Sequence, residues 1–213
     1  MIINIGLIDY GVSNLHSVEQ SFKRLNQSLT IVRKPEDFDS CHALLLPGVG
    51  SFDPAMESLK RTKMIPKLME WGLKKKPLLG ICLGLQLLFE SSEEGNAKGL
   101  GLLKGTVKYL PKTEEELIPH MGWALLNQQK EYPLFNWQDH SQWMYFVHSY
   151  SALPTNSEDI AASVDFGNHA ITAIVWKDSI AACQFHPEKS GQSGELLLSR
   201  WLSWVKKESE NFN

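Results

Sequence analysis

The chain has only three cysteines, Cys41, Cys82 and Cys183, and no two are spaced as Cys-x-x-Cys. An odd count without that spacing argues against a disulfide framework and against a zinc ribbon. No run of about 18 apolar residues occurs, so no segment is expected to span a membrane. Charge imbalance is missing as well. The 21 basic and 24 acidic residues leave a net −3, which offers no footprint for nucleic acid or an anionic membrane. The one basic run, Lys74-Lys75-Lys76, stops at Pro77 and reads as the solvated end of a helix. The apolar start, Met1 to Leu7, lacks a basic region and a small-residue cleavage site, so it does not read as a signal peptide. The cytoplasm, where a thiolate stays reduced, is the expected compartment. His42, His140 and His169 fall in loops or strand ends without metal-ligand spacing, and neither a metal nor a cofactor is expected.

What is present is length and alternation. At 213 residues the chain can bury a core without staples, and no repeat, low-complexity tract or clear linker divides it. One domain over residues 1–213 is expected. Ile2 to Ile8 reads as a strand and Asn14 to Leu25 as a helix, with Leu15, Val18, Phe22 and Leu25 at helical spacing. Ile31 to Arg33 is a short second strand, and Ala43 to Leu46 is a buried one that stops at Pro47. Ala55 to Leu73 reads as a helix that Pro66 kinks or restarts. Leu78 to Ile81 is a further strand and Leu83 to Glu90 a helix. Fully apolar strands joined through helices imply a parallel sheet covered on both faces. The second half is richer in strands: Val107 to Leu110, Trp123 to Leu126, Tyr145 to Ser149 and Ile160 to Val164. Ala170 to Trp176 and Ile180 to Phe185 form a hairpin about Lys177-Asp178-Ser179. A helix over Glu195 to Lys206, with Ser193 as its N-cap, ends the chain. The expected fold is α/β, doubly wound early and β-rich later.

Three segments carry chemistry. In Gly80-Ile81-Cys82-Leu83-Gly84-Leu85-Gln86 an apolar strand ends, a thiol sits at the turn and a helix begins, with a glycine two residues to either side. That is the layout of a nucleophile elbow with cysteine in place of serine. Free N–H groups at the helix start favour a thiolate, and the backbone N–H of Leu83 is a first oxyanion donor. A plainer reading is a buried structural cysteine. In Gln184-Phe185-His186-Pro187-Glu188-Lys189-Ser190, Pro187 biases His186 toward extended backbone. Residues two apart in an extended chain share a side, so Glu188 is expected beside the His186 imidazole, as the orienter of a general base. Alone, that segment reads more readily as a solvated turn. Pro47-Gly48-Val49-Gly50-Ser51-Phe52 follows a buried strand, at the sheet edge where open α/β sheets place their sites. The glycines around Val49 let its N–H approach a ligand as a second oxyanion donor. A phosphate cradle is the rival, weakened because no Gly-Lys-Ser/Thr follows.

Together these segments resemble the triad-type, class I glutamine amidotransferases. Within them the chain is similar to the glutaminase subunits of imidazole glycerol phosphate synthases. The similarity rests also on Asp9-Tyr10-Gly11, Asn14-Leu15, Pro119-His120-Met121-Gly122-Trp123 and Tyr145-Phe146-Val147-His148-Ser149-Tyr150, and covers almost the whole chain. The resemblance implies a flavodoxin-like, mostly parallel sheet with helices on both faces. It also implies a catalytic triad of Cys82, His186 and Glu188, with glutamine held by Gly50, Gln86, His148 and Ser149. It further implies a heterodimer with a (β/α)8-barrel cyclase, which takes up the ammonia to make imidazole glycerol phosphate and an aminoimidazole carboxamide ribotide in histidine biosynthesis. His120, Met121, Trp123 and Lys189 would belong to that interface, although Trp123 also reads as plain core. Alternatives share the same residues: a paralogous glutaminase serving amidation of a surface sugar, an inactive scaffold subunit, or a cysteine peptidase, against which Gln86 and the Tyr145 to Tyr150 segment weigh.

Overall fold

The computed structural model describes residues 3–12, 14–114, 116–136 and 142–211, with the side chains of the last two left aside. His140, Met1 and Ile2, the first residue of the expected first strand, lie outside them. Strands β1 (Ile5–Ile8), β3 (Ala43–Gly48) and β4 (Leu78–Cys82) are buried along their whole length, as the apolar runs require of strands covered on both faces. Helix α1 (Leu15–Arg24) turns Val18 and Phe22 inward, and β2 (Leu29–Val32) pairs parallel to β1.

The remaining elements follow in chain order. They are α2 (Phe52–Arg61), α3 (Ile65–Leu73), α4 (Leu83–Leu87), β5 (Ser91–Ser92), β6 (Gly105–Tyr109), β7 (His120–Gln128), β8 (Trp143–His148), β9 (Tyr150–Pro154), β10 (Ile160–Phe166), β11 (His169–Lys177), β12 (Ile180–Cys183) and α5 (Gly191–Asn211).

One sheet runs β2-β1-β3-β4-β12-β11-β10-β7-β8, and β5, β6 and β9 form a second. The large sheet is parallel from β2 to β12 and antiparallel from there to β8. On one face α1 and α5 meet through an edge contact of Phe22 with Trp201. On the other face α2, α3 and α4 pack, with Phe38 against Trp71.

Several expected boundaries move: the helix expected over Leu83 to Glu90 ends at Leu87, and three other shifts have a plain cause. The long helix about Pro66 is two helices, because Lys63 takes a left-handed φ of 59° and Pro66 falls in the first turn of α3, where its missing N–H costs nothing. Strand β3 continues through Pro47 and Gly48, which pair with Ile81 and Cys82. Helix α5 starts at Gly191, so Ser193 lies inside its first turn rather than capping it.

Candidate active site

Strand order brings the three chemical segments to one edge. β3 and β12 flank β4, with Gly48 opposite Cys82 and Cys183 opposite Ile81. The chain leaving each strand end therefore delivers Val49, Cys82 and His186 to the same rim. Cys82 sits between β4 and α4 at φ 54°, ψ −113°, backbone that non-glycine residues rarely adopt. Close packing holds it there. Any Cβ on Gly84 would fall on the Leu46 carbonyl oxygen, and one on Gly80 would come within 3.1 Å of the Gly84 oxygen.

His186 keeps extended backbone, but Pro187–Lys189 form a 3-10 turn. The turn, not a shared side of an extended strand, brings Glu188 round so that its Oε1 lies 2.7 Å from His186 Nδ1. Both side chains are buried, at 4% and 2% exposure, and Glu188 Oε2 has no partner among the described residues. The carboxylate is thus committed to the imidazole. Cys82 lines the same cavity as the ring and acts on its charge. Ser190 locks the turn by donating to the His186 carbonyl at 2.6 Å and accepting from the Tyr145 N–H at 3.0 Å.

Burial by itself would lower the His186 pKa, yet the hydrogen bonds and charges of Cys82 and Glu188 outweigh it and raise it from 6.5 to about 10. A group raised in the fold stabilises fully below its unfolded value and loses that contribution as pH climbs through the folded one. The melting-temperature gap between the wild type and His186→Asn is therefore expected to be widest below pH 6.5 and to narrow toward pH 10. Calorimetry across that range checks it, and a gap that widened with pH would mean the fold holds the neutral imidazole.

A cavity of about 360 Å³ opens over Cys82 and His186. Val49, Gly50, Leu83, Gln86, His148 and Ser149 also line it, so all the residues expected to hold the oxyanion or glutamine are together. Two are placed in unexpected ways. The Val49 N–H donates to the Val12 carbonyl at 3.4 Å and is occupied. His148 is buried, donates through Nδ1 to the Tyr150 carbonyl at 3.0 Å, and faces His120 Nδ1 with Nε2 at 3.1 Å. Burial, ahead of every other influence, lowers its pKa to about 3, so it is neutral.

The residues expected at an interface divide. Met121 and Trp123 are 63% and 53% exposed, which removes the reading of Trp123 as core, and Lys189 is exposed. His120 is turned inward, 9% exposed and stacked on Phe146.

Four residues carry the site without having been singled out for it. Tyr10 donates to the Pro47 carbonyl at 2.9 Å beneath the Val49 loop. Glu94 lines the cavity and accepts from the Phe52 N–H at 2.8 Å. The Tyr150 carbonyl accepts two hydrogen bonds, and Gln184 touches the Cys82 sulfur. Only Gln184 had a local signal, a polar residue in the otherwise apolar run Ile180 to Phe185.

The family described as glutamine amidotransferase class-I matches residues 6–202. The chain is 70% identical over 211 residues to the imidazole glycerol phosphate synthase subunit HisH of Prochlorococcus marinus (strain SARG), covering 99% of each chain. It is 64% identical to the same subunit of Prochlorococcus marinus (strain MIT 9211), again over 99% of both. Among solved structures it is similar to PurLQS from Thermotoga maritima, with a TM-score of 0.75 at 17% identity over 96% of this chain and all of that one. At that identity the likeness speaks for the fold.

Proposed function

The chain belongs to the class-I glutamine amidotransferases and, within them, to the HisH subunits of imidazole glycerol phosphate synthase, and on that premise we propose that Cys82, His186 and Glu188 perform its glutamine hydrolysis. As such a subunit it serves histidine biosynthesis together with a partner subunit. The observation that supports these residue roles is that His186 lines the cavity together with Cys82 while its Nδ1 is held by the buried Glu188.

The Cys82 thiolate attacks the side-chain carbonyl carbon of glutamine. The oxyanion is held by the Leu83 N–H at the start of α4. The His186 imidazolium gives its proton to the departing nitrogen, and ammonia leaves a thioester. His186, now neutral, takes a proton from water, which attacks the thioester and releases glutamate and the thiolate. Glu188 keeps the ring oriented and stabilises its charge. Gly50, Gln86, His148 and Ser149 line the space for substrate glutamine.

The Val49 N–H is the second oxyanion donor, available once it leaves the Val12 carbonyl. The partner is a (β/α)8-barrel cyclase in a heterodimer, and residues 1–213 act as one glutamine amidotransferase domain in the cytoplasm. Docking on Met121, Trp123 and Lys189 suits this. Pro119 and Val147, from the same β7–β8 region, form part of the cavity wall, so ammonia has a short way from Cys82 to the partner. His120, being buried, supports that surface from behind.

Glutamate production from glutamine is the test, first with the chain alone and then with the cyclase and its ribonucleotide ligand. One missing oxyanion donor is worth about 10²–10³ in rate, so stimulation on the order of a hundredfold is expected. Good activity alone without stimulation points to another ammonia acceptor. No glutamate under either condition means a scaffold subunit.

A further inference from the structure

Gln184 is wholly buried one residue beyond β12, and its amide can be oriented from its neighbours. A backbone carbonyl only accepts, so the end of the Gln86 side chain 3.0 Å from the Tyr150 oxygen is its NH2. The same nitrogen lies 3.1 Å from the side chain of Gln184, whose atom there is accordingly the carbonyl oxygen. The Gln184 NH2 is thereby turned toward Cys82 Sγ, 4.0 Å away, the long end of an N–H···S contact. Among the described residues that sulfur is its one hydrogen-bond partner. The Tyr150 oxygen also takes the His148 Nδ1 proton, which leaves His148 Nε2 to accept from His120 Nδ1. Donors and acceptors therefore run in a defined order from β7 to the nucleophile.

We propose that Gln184 is the amide donor that holds Cys82 as a thiolate, and that Gln86 orients it against the Tyr150 carbonyl. The assignment rests on the Cys82 thioester reading and deepens it. Gln86 then acts on the nucleophile through Gln184, with its own oxygen left for substrate. An uncharged amide suits the position. It supplies a proton donor to sulfur without a second positive charge that would compete with His186 for the thiolate. Leaving the buried amide nitrogen without that partner would cost more than an aliphatic side chain of equal size.

Alkylation of Cys82 by iodoacetamide, followed by mass spectrometry of its peptide, reads the thiolate fraction in the full chain. Gln184→Met keeps length and volume but has no donor. Its Cys82 is expected to alkylate about tenfold more slowly at neutral pH, with the rate–pH curve moved to higher pH and the alkaline plateau unchanged. Its kcat for glutamine falls about tenfold while KM stays within about twofold. Gln184→Glu keeps shape and the bond from Gln86 but faces sulfur with a carboxylate, and it is expected to alkylate more slowly than Gln184→Met. A merely structural role predicts the reverse order. Curves of either folded variant that overlie the wild type overturn the assignment. If the wild-type chain with its partner releases no glutamate, the thioester reading fails instead, so the two failures are distinct.

Discussion

Cys82→Ala is expected to remove glutamine turnover entirely while leaving the fold and partner binding as they were. In the proposed thioester route Cys82 supplies the one protein atom that becomes covalently bonded to substrate. Residues of a catalytic unit lose at least about 10⁴ in kcat when the nucleophile is removed. The Cys82 side chain belongs to the buried core but borders the cavity, and alanine keeps its Cβ, so the fold survives the loss of one sulfur. Cys82→Gly separates chemistry from stability further. Glycine is at ease at φ 54°, ψ −113°, where another side chain stores on the order of 1–3 kcal/mol of strain. That gain exceeds or offsets the roughly 1 kcal/mol of extra chain entropy that glycine loses on folding. The glycine variant is thus expected to melt at or above the temperature of Cys82→Ala, which lacks the same sulfur, and to be equally inactive. Glutamate release by Cys82→Ala within about tenfold of wild type would falsify the thioester route.

Gly84→Ala is expected to have the largest effect on the fold. The new methyl would land on the Leu46 carbonyl oxygen and 2.8 Å from its carbon. Both are backbone atoms of β3, in the middle of the sheet, so no side chain can swing away. Either α4 lifts from β3 or β3 moves, and each breaks the elbow that holds Cys82. Forced overpacking of this kind costs about 3 kcal/mol or more, which for a chain of this size lowers the melting temperature by on the order of 10 °C. Gly80→Ala gives a graded comparison. There the nearest atom is the movable Leu88 Cδ1 at 2.9 Å, and the backbone contacts are at 3.1 Å. The expected order of melting temperatures is wild type, Gly80→Ala, Gly84→Ala. An unchanged melt for Gly84→Ala would mean that the helix steps aside freely and the elbow is not tightly held.

Much of this arrangement was legible in local sequence. The apolar runs of Ala43 to Leu46 and Leu78 to Ile81 announced strands buried on both faces, because only a doubly covered strand can lack polar alternation. The glycines around Cys82 announced a tight turn, because only glycine lets a helix start that close to a neighbouring strand. His186 and Glu188 were legible as a pair, but not by the route that joins them. The period of an extended strand was carried two residues too far, into a 3-10 turn that begins at Pro187. Trp123 was ambiguous because its aromatic surface suits a core or an interface equally. Only the pleat of β7 decides that it faces out while His120 faces in.

By itself, then, the sequence determined which chemistry this chain can carry: a thiol on an elbow, an imidazole beside a carboxylate, and a strand-end loop with glycines around Val49. Those are properties of neighbours in the chain, set by steric limits on a few consecutive residues. The tertiary structure alone decided how the groups are held. It decided that the Val49 N–H is taken by Val12, that His120 is buried against His148, and that Gln184 faces the Cys82 sulfur from 102 residues away. The physical reason is that a buried polar atom must be paired, and its partner is whichever group the packing of the sheet brings within hydrogen-bonding reach, wherever in the chain that group comes from.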